Sequence, residues 1–354
     1  MSRRDRLDLI VIGAGVVGST AALAAARDGL RVALVEAHEP SPWRPEAPDL
    51  RVYAFAPDNA ALLEDLGVWS SVRAARAHPY RRMRVWDAAG GGELDFDADA
   101  LGRGHLGHIV EHGLLVDRLW AACGREPGLQ RLCPGRLATI GQDAESVTAV
   151  LQDGQRLRAR LLLGADGARS KVRDLAGLEL DRRDYGQRGL VAYVGTGLPH
   201  QDTAWQRFLP TGPLALLPCA DGRVSIVWSL PQDEAGRLAA VPAAQFDAEI
   251  TRASDRVLSA LSLDGERRLF PLKRQLAVRL QQGRCALLGD AAHVVHPLAG
   301  QGVNLGLRDV AALLDAVDAS RARGEWLTPA RLARWARGRH SENTVAAHAF
   351  ETIH

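Results

Sequence analysis

Three short segments hold residues whose types and spacing could do chemistry. In the first, Gly13-Ala14-Gly15-Val16-Val17-Gly18 follows an apolar run and precedes an alanine-rich one, and Glu36 ends the next apolar run. This spacing suits a dinucleotide. The first glycine permits a tight turn, the second lets a pyrophosphate reach the backbone, and the third lets helix and strand pack closely. The anion would lie on unpaired amides at the helix N-terminus, and Glu36 would accept hydrogen bonds from a ribose. In the second, Leu163-Gly164-Ala165-Asp166-Gly167-Ala168-Arg169-Ser170 also leaves an apolar run. Asp-Gly is a common turn pair, so its local sequence alone reads almost as well as a plain turn. The third begins Leu288-Gly289-Asp290-Ala291-Ala292-His293 and continues His296-Pro297-Leu298-Ala299-Gly300-Gln301-Gly302-Val303-Asn304-Leu305-Gly306. It suits a flavin. Asp290 at a strand end can accept from ribityl hydroxyls, and the loop leads into a helix whose N-terminal amides stabilise negative charge on a reduced isoalloxazine.

His293 and His296 fall in this third segment. Hydrogen bonds that hold its loop account for them without a metal, because no third ligand lies near them in sequence. The four cysteines, Cys123, Cys133, Cys219 and Cys285, show no CxxC pair and no metal-ligand spacing. No metal site and no disulfide framework is expected, and a reducing cytoplasm fits best.

These residues need elements to position them. Residues 7–12 read as a strand, the glycine turn leads into a helix ending near Gly29, and 31–36 read as a second strand, which makes half of a nucleotide-binding fold. A proline-rich loop follows at 40–48, then helical spacing at Leu62, Leu63 and Leu66, then short β-like runs from Tyr80 to Phe96 broken by Gly90, Gly91 and Gly92. Helical character returns around 114–123. Strands are expected at 156–163, 189–197, 204–209, 214–217, 224–229 and 285–288, with helices from near Gly302 to the end. Turn signals such as Pro210-Thr211-Gly212-Pro213 and Asp221-Gly222 allow hairpins, so the middle block reads as antiparallel, a candidate sheet to cover a substrate.

Bulk properties narrow the function. With 354 residues and 47% hydrophobic content the chain can bury two cores. Net charge is +2 from 44 basic and 42 acidic residues, which leaves no nucleic-acid footprint. Only Lys171 and Lys273 are lysines; the arginine skew is spread along the chain and carries no functional weight. Residues 9–26 lack charge and follow Arg3 and Arg4, as in a signal peptide or spanning helix. The three glycines and the second strand directly after them argue instead for a βαβ unit.

GAGVVG, GADGARSKVR and GDAAHVVHPLAGQGVNLGLRD occur in the order and spacing of the group that resembles para-hydroxybenzoate hydroxylase. Within it, HPLAGQGVNLGLRD and residues 203–218, TAWQRFLPTGPLALLP, look like the ubiquinone-biosynthesis FAD-dependent aromatic hydroxylases, over essentially the whole chain. The resemblance implies an α/β fold: a Rossmann-like FAD-binding domain of residues 1–75, 105–180 and 275–354, and an inserted, mainly antiparallel substrate domain of 76–104 and 181–274. It implies that Gly13, Gly15, Val17, Gly18 and Glu36 hold the adenosine half of FAD. Arg51, Asp166, Arg169, Gly289, Asp290, Gly302, Val303 and Asn304 would hold the rest, with Pro297 and His296 where oxygen reacts. The implied reaction is reduction of FAD by NAD(P)H or another donor, reaction with O2 to a flavin hydroperoxide, and oxygen transfer to a phenolic, polyprenylated ring. Water must be kept out meanwhile, or peroxide is lost. Tyr193, Trp205, Phe208 and Trp228 are expected to line an apolar aromatic substrate, with ordinary sheet core as an equal reading.

The sequence also departs from the family. Relatives read Glu-Asn-Arg where this chain has Glu111-His112-Gly113, so the family arginine near the flavin is missing. His112 could activate a phenol as a base, although an ordinary loop histidine is the default. Arg331, Arg334, Arg337 and Arg339 recur around Trp335, a solvated helix face by default and a basic face for anionic lipid otherwise. Similar proteins continue past His354 with further helix that could carry membrane or partner contacts. The expected setting is the cytoplasm, peripheral to the inner face of its membrane, with other quinone-biosynthesis proteins as further partners. The rival readings are a hydroxylase of a pigment or polyketide aromatic and a non-catalytic accessory subunit of a biosynthetic complex.

Overall fold

In the computed structural model, residues 7–295 and 301–353 are described. The first strand, Leu7–Ile12, lies inside a mostly parallel sheet between Val32–Val35 and Arg156–Gly164. Leu129–Leu132 extends that sheet beyond Val32–Val35, and Cys285–Leu287 extends it on the other side, followed by Gln281–Gln282. An antiparallel pair, Leu137–Gln142 and Val147–Leu151, joins through Arg156–Gly164. The central strands are short apolar runs because both faces are covered, as parallel crossovers require. Helix Val16–Arg27 shows the same logic: ten of its 12 residues are buried, so it is built from alanine, glycine, serine and threonine. It packs between the sheet and helices His112–Arg125 and Gln301–Arg321.

A second sheet of eight strands runs in the order His293–Val294, Leu261–Ala277, Leu180–Thr196, Val224–Pro231, Gly212–Pro218, Thr203–Leu209, Arg82–Asp87, Glu93–Asp97. Side chains alternate between its faces with period two. One face, with Leu190, Ala192, Leu214, Leu216, Ile226 and Trp228, is covered by helices Gln232–Ala240 and Ala243–Ala253. The other, with Tyr193, Ala204, Ala215 and Leu217, meets Ala54 and Ile109 of a three-stranded sheet. That small sheet pairs Val52–Phe55, Gly107–Glu111 and His78–Tyr80, and so lies between the two large ones.

The middle block pairs antiparallel as expected, while Arg82–Asp87, outside it, pairs parallel with Thr203–Leu209. These strands are more than a hundred residues apart in sequence, so no hairpin constrains their direction. Leu261–Ala277, the two covering helices, and strands Leu129–Leu132, Leu137–Gln142 and Val147–Leu151 were not expected. Many of their positions are polar and half exposed, which hides the alternation.

Residues 9–26 form strand, turn and helix, and among the described residues no helix is long and apolar enough to cross a membrane. On helix Pro329–Ile353, Trp335 and Arg339 are buried, and only Arg334 and Arg337 of the four arginines are fully exposed. Arg331 and Arg339, half of this arginine set, bond to helix Gln301–Arg321.

Candidate active site

A cleft of about 650 Å³ opens where the central parallel strands end, within the range of about 300–1,000 Å³ usual for small-molecule sites. Gly13, Gly15, Val17, Glu36, Arg51, Asp166, Arg169, Asp290 and Val303 line it, so the three sequence segments converge on one space. Gly18, Gly289, Gly302 and Asn304 do not line it. His296 and Pro297 lie outside the described residues.

The glycine turn divides its work by position. Gly13 has φ +101°, and a Cβ there would sit 2.4 Å from the Ala165 carbonyl oxygen. A Cβ at Gly18 would sit 1.9 Å from the Gly13 carbonyl oxygen, so that residue serves helix packing. At Gly15 a Cβ would meet nothing within 4 Å, because the residue faces the open cleft. No side chain caps helix Val16–Arg27 at Gly15, which leaves its first amides free for an anion. Glu36 is tied to the same turn: one carboxylate oxygen accepts from Ala14 N at 2.6 Å, the other from Ala37 N at 2.7 Å and His38 N at 3.2 Å. These features fit the diphosphate and ribose of a dinucleotide.

Farther along the cleft, Arg51 lies 3.8 Å from the Asp290 carboxylate and over the ring of Tyr53 at 5.5 Å. The Tyr53 hydroxyl is 2.9 Å from His112 Nδ1. Burial, then Arg51, lowers the His112 pKa to about 4, and burial holds the Tyr53 phenol above its ordinary range. At neutral pH Tyr53 therefore donates to Nδ1, and the imidazole proton sits on Nε2. His112 lines the cleft as a neutral donor; a loop histidine in name, it opens helix His112–Arg125. Its neighbour Glu111 is buried and accepts from Trp43 Nε1 at 2.8 Å, Asp49 N at 3.0 Å and Arg76 Nη1 at 3.2 Å. Asp49 in turn accepts from Arg51 N and Gly113 N, placing negative charge at the helix N-terminus. Sequence reasoning singled out Arg51 here and missed Tyr53, two residues on, whose ring the Arg51 guanidinium covers.

Other expected ligands prove to hold the frame. One Asp166 oxygen accepts from Ser170 Oγ at 2.5 Å and the other from Lys171 N at 2.7 Å and Val172 N at 3.1 Å, anchoring helix Lys171–Leu175. The plain-turn reading thus holds part of the truth, although Asp166 still lines the cleft. The Asn304 side chain is fully buried: Oδ1 accepts from Ala56 N and Asn59 Nδ2, and Nδ2 donates to the Ala54 carbonyl. It cannot turn to a ligand without breaking those bonds. Two residues the sequence left unmarked complete the frame. Arg173 bridges the carbonyls of Ala168 and Ala291, each at 3.1 Å, joining the second segment to the third. Asp309, wholly buried, binds His293 Nε2 at 2.6 Å, Gly289 N at 3.1 Å, Arg339 Nε at 2.9 Å and Asn343 Nδ2 at 3.1 Å. Despite burial, the neighbouring His293 and Arg339 side chains hold its carboxyl below the usual range. His293 is thus held by a hydrogen bond, as its sequence suggested.

The four aromatics expected at a substrate separate. Tyr193 faces the small sheet and donates to the Asp49 carbonyl at 2.8 Å. Trp228 lies in the core on the opposite face of the sheet, and Trp205 packs against that core; strand alternation turns both away from the cleft side. Phe208 is half buried near the far end of its strand, opposite Asp87. A second cleft, of about 560 Å³, opens between Pro57, Asp58, the 103–105 loop and Arg308.

A family model described as FAD binding domain matches residues 6–335. The chain is similar to 3-demethoxyubiquinol 3-hydroxylase of Escherichia coli (strain K12), at 37% identity over 96% of this chain and 86% of the relative. It is also similar to ubiquinone hydroxylase UbiL of Rhodospirillum rubrum, at 38% identity over 96% and 79% of the two chains. Among solved structures, Pseudomonas aeruginosa PqsL in complex with 2-aminobenzoylacetate superposes with a TM-score of 0.80 at 23% identity, over 97% of this chain and 93% of that one. Klebsiella pneumoniae HpxO complexed with FAD and uric acid gives 0.75 at 22%, over 97% and 86%. At these identities the structural likeness carries the fold.

Proposed function

The chain belongs to the FAD-binding-domain family, and from that premise we propose that it is an FAD-dependent monooxygenase. Its substrate is a polyprenylated phenol, hydroxylated on the ring during ubiquinone biosynthesis with NAD(P)H as reductant. The observation that carries the reading is the convergence of Gly15, Glu36, Arg51 and Asp290 on one cleft in a chain whose relatives are named ubiquinone hydroxylases. In balance, one oxygen atom of O2 enters the ring, the other leaves as water, and the reductant supplies two electrons. Bound FAD supplies the electron transfer and the activation of oxygen.

The chain's own residues bind, orient and exclude. The free amides after Gly15 hold the diphosphate, with Glu36 at the adenosine ribose and Asp290 at the ribityl hydroxyls. Arg51, held by Asp290 and the Tyr53 ring, sets positive charge in the cleft and so favours negative charge on a bound ligand. His112 offers a hydrogen-bond donor at Nε2 while Tyr53 holds Nδ1; a low pKa makes it a poor general base, so its role is positioning. The antiparallel sheet closes over the small sheet and keeps water from the reacting end. We assign residues 1–75, 105–180 and 275–354 to cofactor binding and 76–104 and 181–274 to substrate cover. Work at the cytoplasmic face of the membrane follows from a prenylated substrate.

The test is reconstitution followed by complementation. Protein loaded with FAD should be yellow and should restore quinone synthesis in a hydroxylase-deficient strain. Protein that stays colourless with FAD, or that restores nothing while well expressed, contradicts the proposal.

A further inference from the structure

Away from the cleft, a histidine meets two side chains far from it in sequence where the small sheet touches the large antiparallel one. His78 begins strand His78–Tyr80, and His200 and Asp202 lie in the turn between Leu180–Thr196 and Thr203–Leu209. One donor atom from each lies within 4.8 Å of the others. His78 Nε2 is 2.9 Å from Asp202 Oδ1, and His200 Nδ1 is 3.9 Å from the same oxygen. Four-coordinate metal–ligand bonds of about 2.0–2.2 Å imply donor separations of about 3.4 Å, a value these two distances straddle.

The histidine tautomer is already suited to ligation. His200 Nε2 is 3.1 Å from the Cys219 carbonyl and can only donate to it. That leaves the lone pair on Nδ1, which accepts from Asp202 N at 3.1 Å. A ligating histidine characteristically donates its other N–H to a backbone carbonyl in this way. An ion would replace the weak Asp202 amide bond at His200 and the shared proton between His78 and Asp202. Entry is open: the Asp202 side chain is 42% exposed, whereas those of His78 and His200 are 18% and 10% exposed. The turn itself is rigid, since the Asp202 carbonyl accepts from Arg81 N and Arg82 N.

We propose that His78, His200 and Asp202 form a binding site for a zinc-class divalent cation that fastens the β-turn at 200–202 to the small sheet. Two imidazoles and one carboxylate select Zn2+ and its neighbours over Mg2+ and Ca2+, which take all-oxygen shells. Water completes the coordination. The site is structural: it ties strand His78–Tyr80, and through it strand Gly107–Glu111 that leads to His112, to the covering sheet. Sequence spacing hides the site, because position 78 is more than a hundred residues from the other two.

Calorimetric titration of the FAD-loaded full chain with Zn2+ tests it, alongside Co2+ absorption. Expected are one saturable equivalent, a four-coordinate Co2+ spectrum without thiolate charge transfer, and a higher melting temperature with Zn2+. His200→Ala and Asp202→Asn should each weaken Zn2+ binding more than tenfold while circular dichroism and FAD content stay unchanged. Cys133→Ser should bind as the parent does. Mg2+ should not compete. Absence of saturable binding, or binding that survives both ligand variants, overturns the proposal. Neither result bears on the FAD site, because flavin content is read separately.

Discussion

At the scale of single residues, the pair Tyr53–His112 is what distinguishes this cleft, and it has a pH signature. His112 is held at a pKa of about 4 in the fold, against about 6.5 for an unfolded histidine. A depressed histidine pKa means that the unfolded chain binds the proton first, so stability falls as pH drops from about 6.5 to about 4 and levels off below. Buried His108, also near 4, acts in the same direction. Each imidazole contributes a slope of up to about 1.4 kcal/mol per pH unit in that window. Urea unfolding between pH 7 and 4 should show the loss, and His112→Asn should flatten it; an unchanged slope would place the His112 pKa elsewhere. The sequence marked His112 as a departure but could not reveal its partner, because Tyr53 and His112 meet only through the antiparallel pairing of Val52 with Glu111. Asp290 was readable because it stands at the exit of an apolar strand, whereas Arg51 came from the family resemblance alone. Sequence shows the place of Asn304 in a motif and not which way its amide points.

At the scale of elements, the glycine turn makes opposite demands at two of its positions. Gly15→Ala fits the protein, with open space and an ordinary φ of −68°, but places a methyl where the diphosphate must lie. It should keep the melting temperature of the cofactor-free protein while weakening FAD binding at least tenfold by fluorescence titration. Gly18→Ala would drive its Cβ into the Gly13 carbonyl and should destabilise the cofactor-free fold by about 1–3 kcal/mol, the cost of overpacking. If both variants lose stability equally, the division of labour is wrong. A second element-level joint is Asp309, which locks the third segment to the last two helices. Asp309→Ala strands Arg339 and should cost about 3–5 kcal/mol in urea unfolding, with a loss below about 1 kcal/mol contradicting its place as the joint. Which elements were legible follows the same physics. Apolar runs such as Leu9–Ile12, Leu161–Leu163 and Cys285–Leu287 show themselves by burial on both faces, whereas Leu261–Ala277 exposes Ser262, Asp264, Glu266, Arg268 and Lys273.

At the scale of the whole molecule, the parallel sheet carries the cleft, and the antiparallel sheet packs on the three-stranded sheet that joins the two. The faces of the antiparallel sheet were not legible in the sequence: Trp205 and Trp228 stabilise the helix-backed core and leave the other face to Tyr193 and small apolar residues. In the proposed function this assembly places one atom of dioxygen on an aromatic ring. The direct measurement is mass spectrometry of the product formed by FAD-loaded protein, reductant and a prenylated phenol under 18O2. The account predicts one labelled oxygen on the ring and one in water. Product without label, or reductant consumed to hydrogen peroxide alone with every prenylated phenol tried, would contradict it.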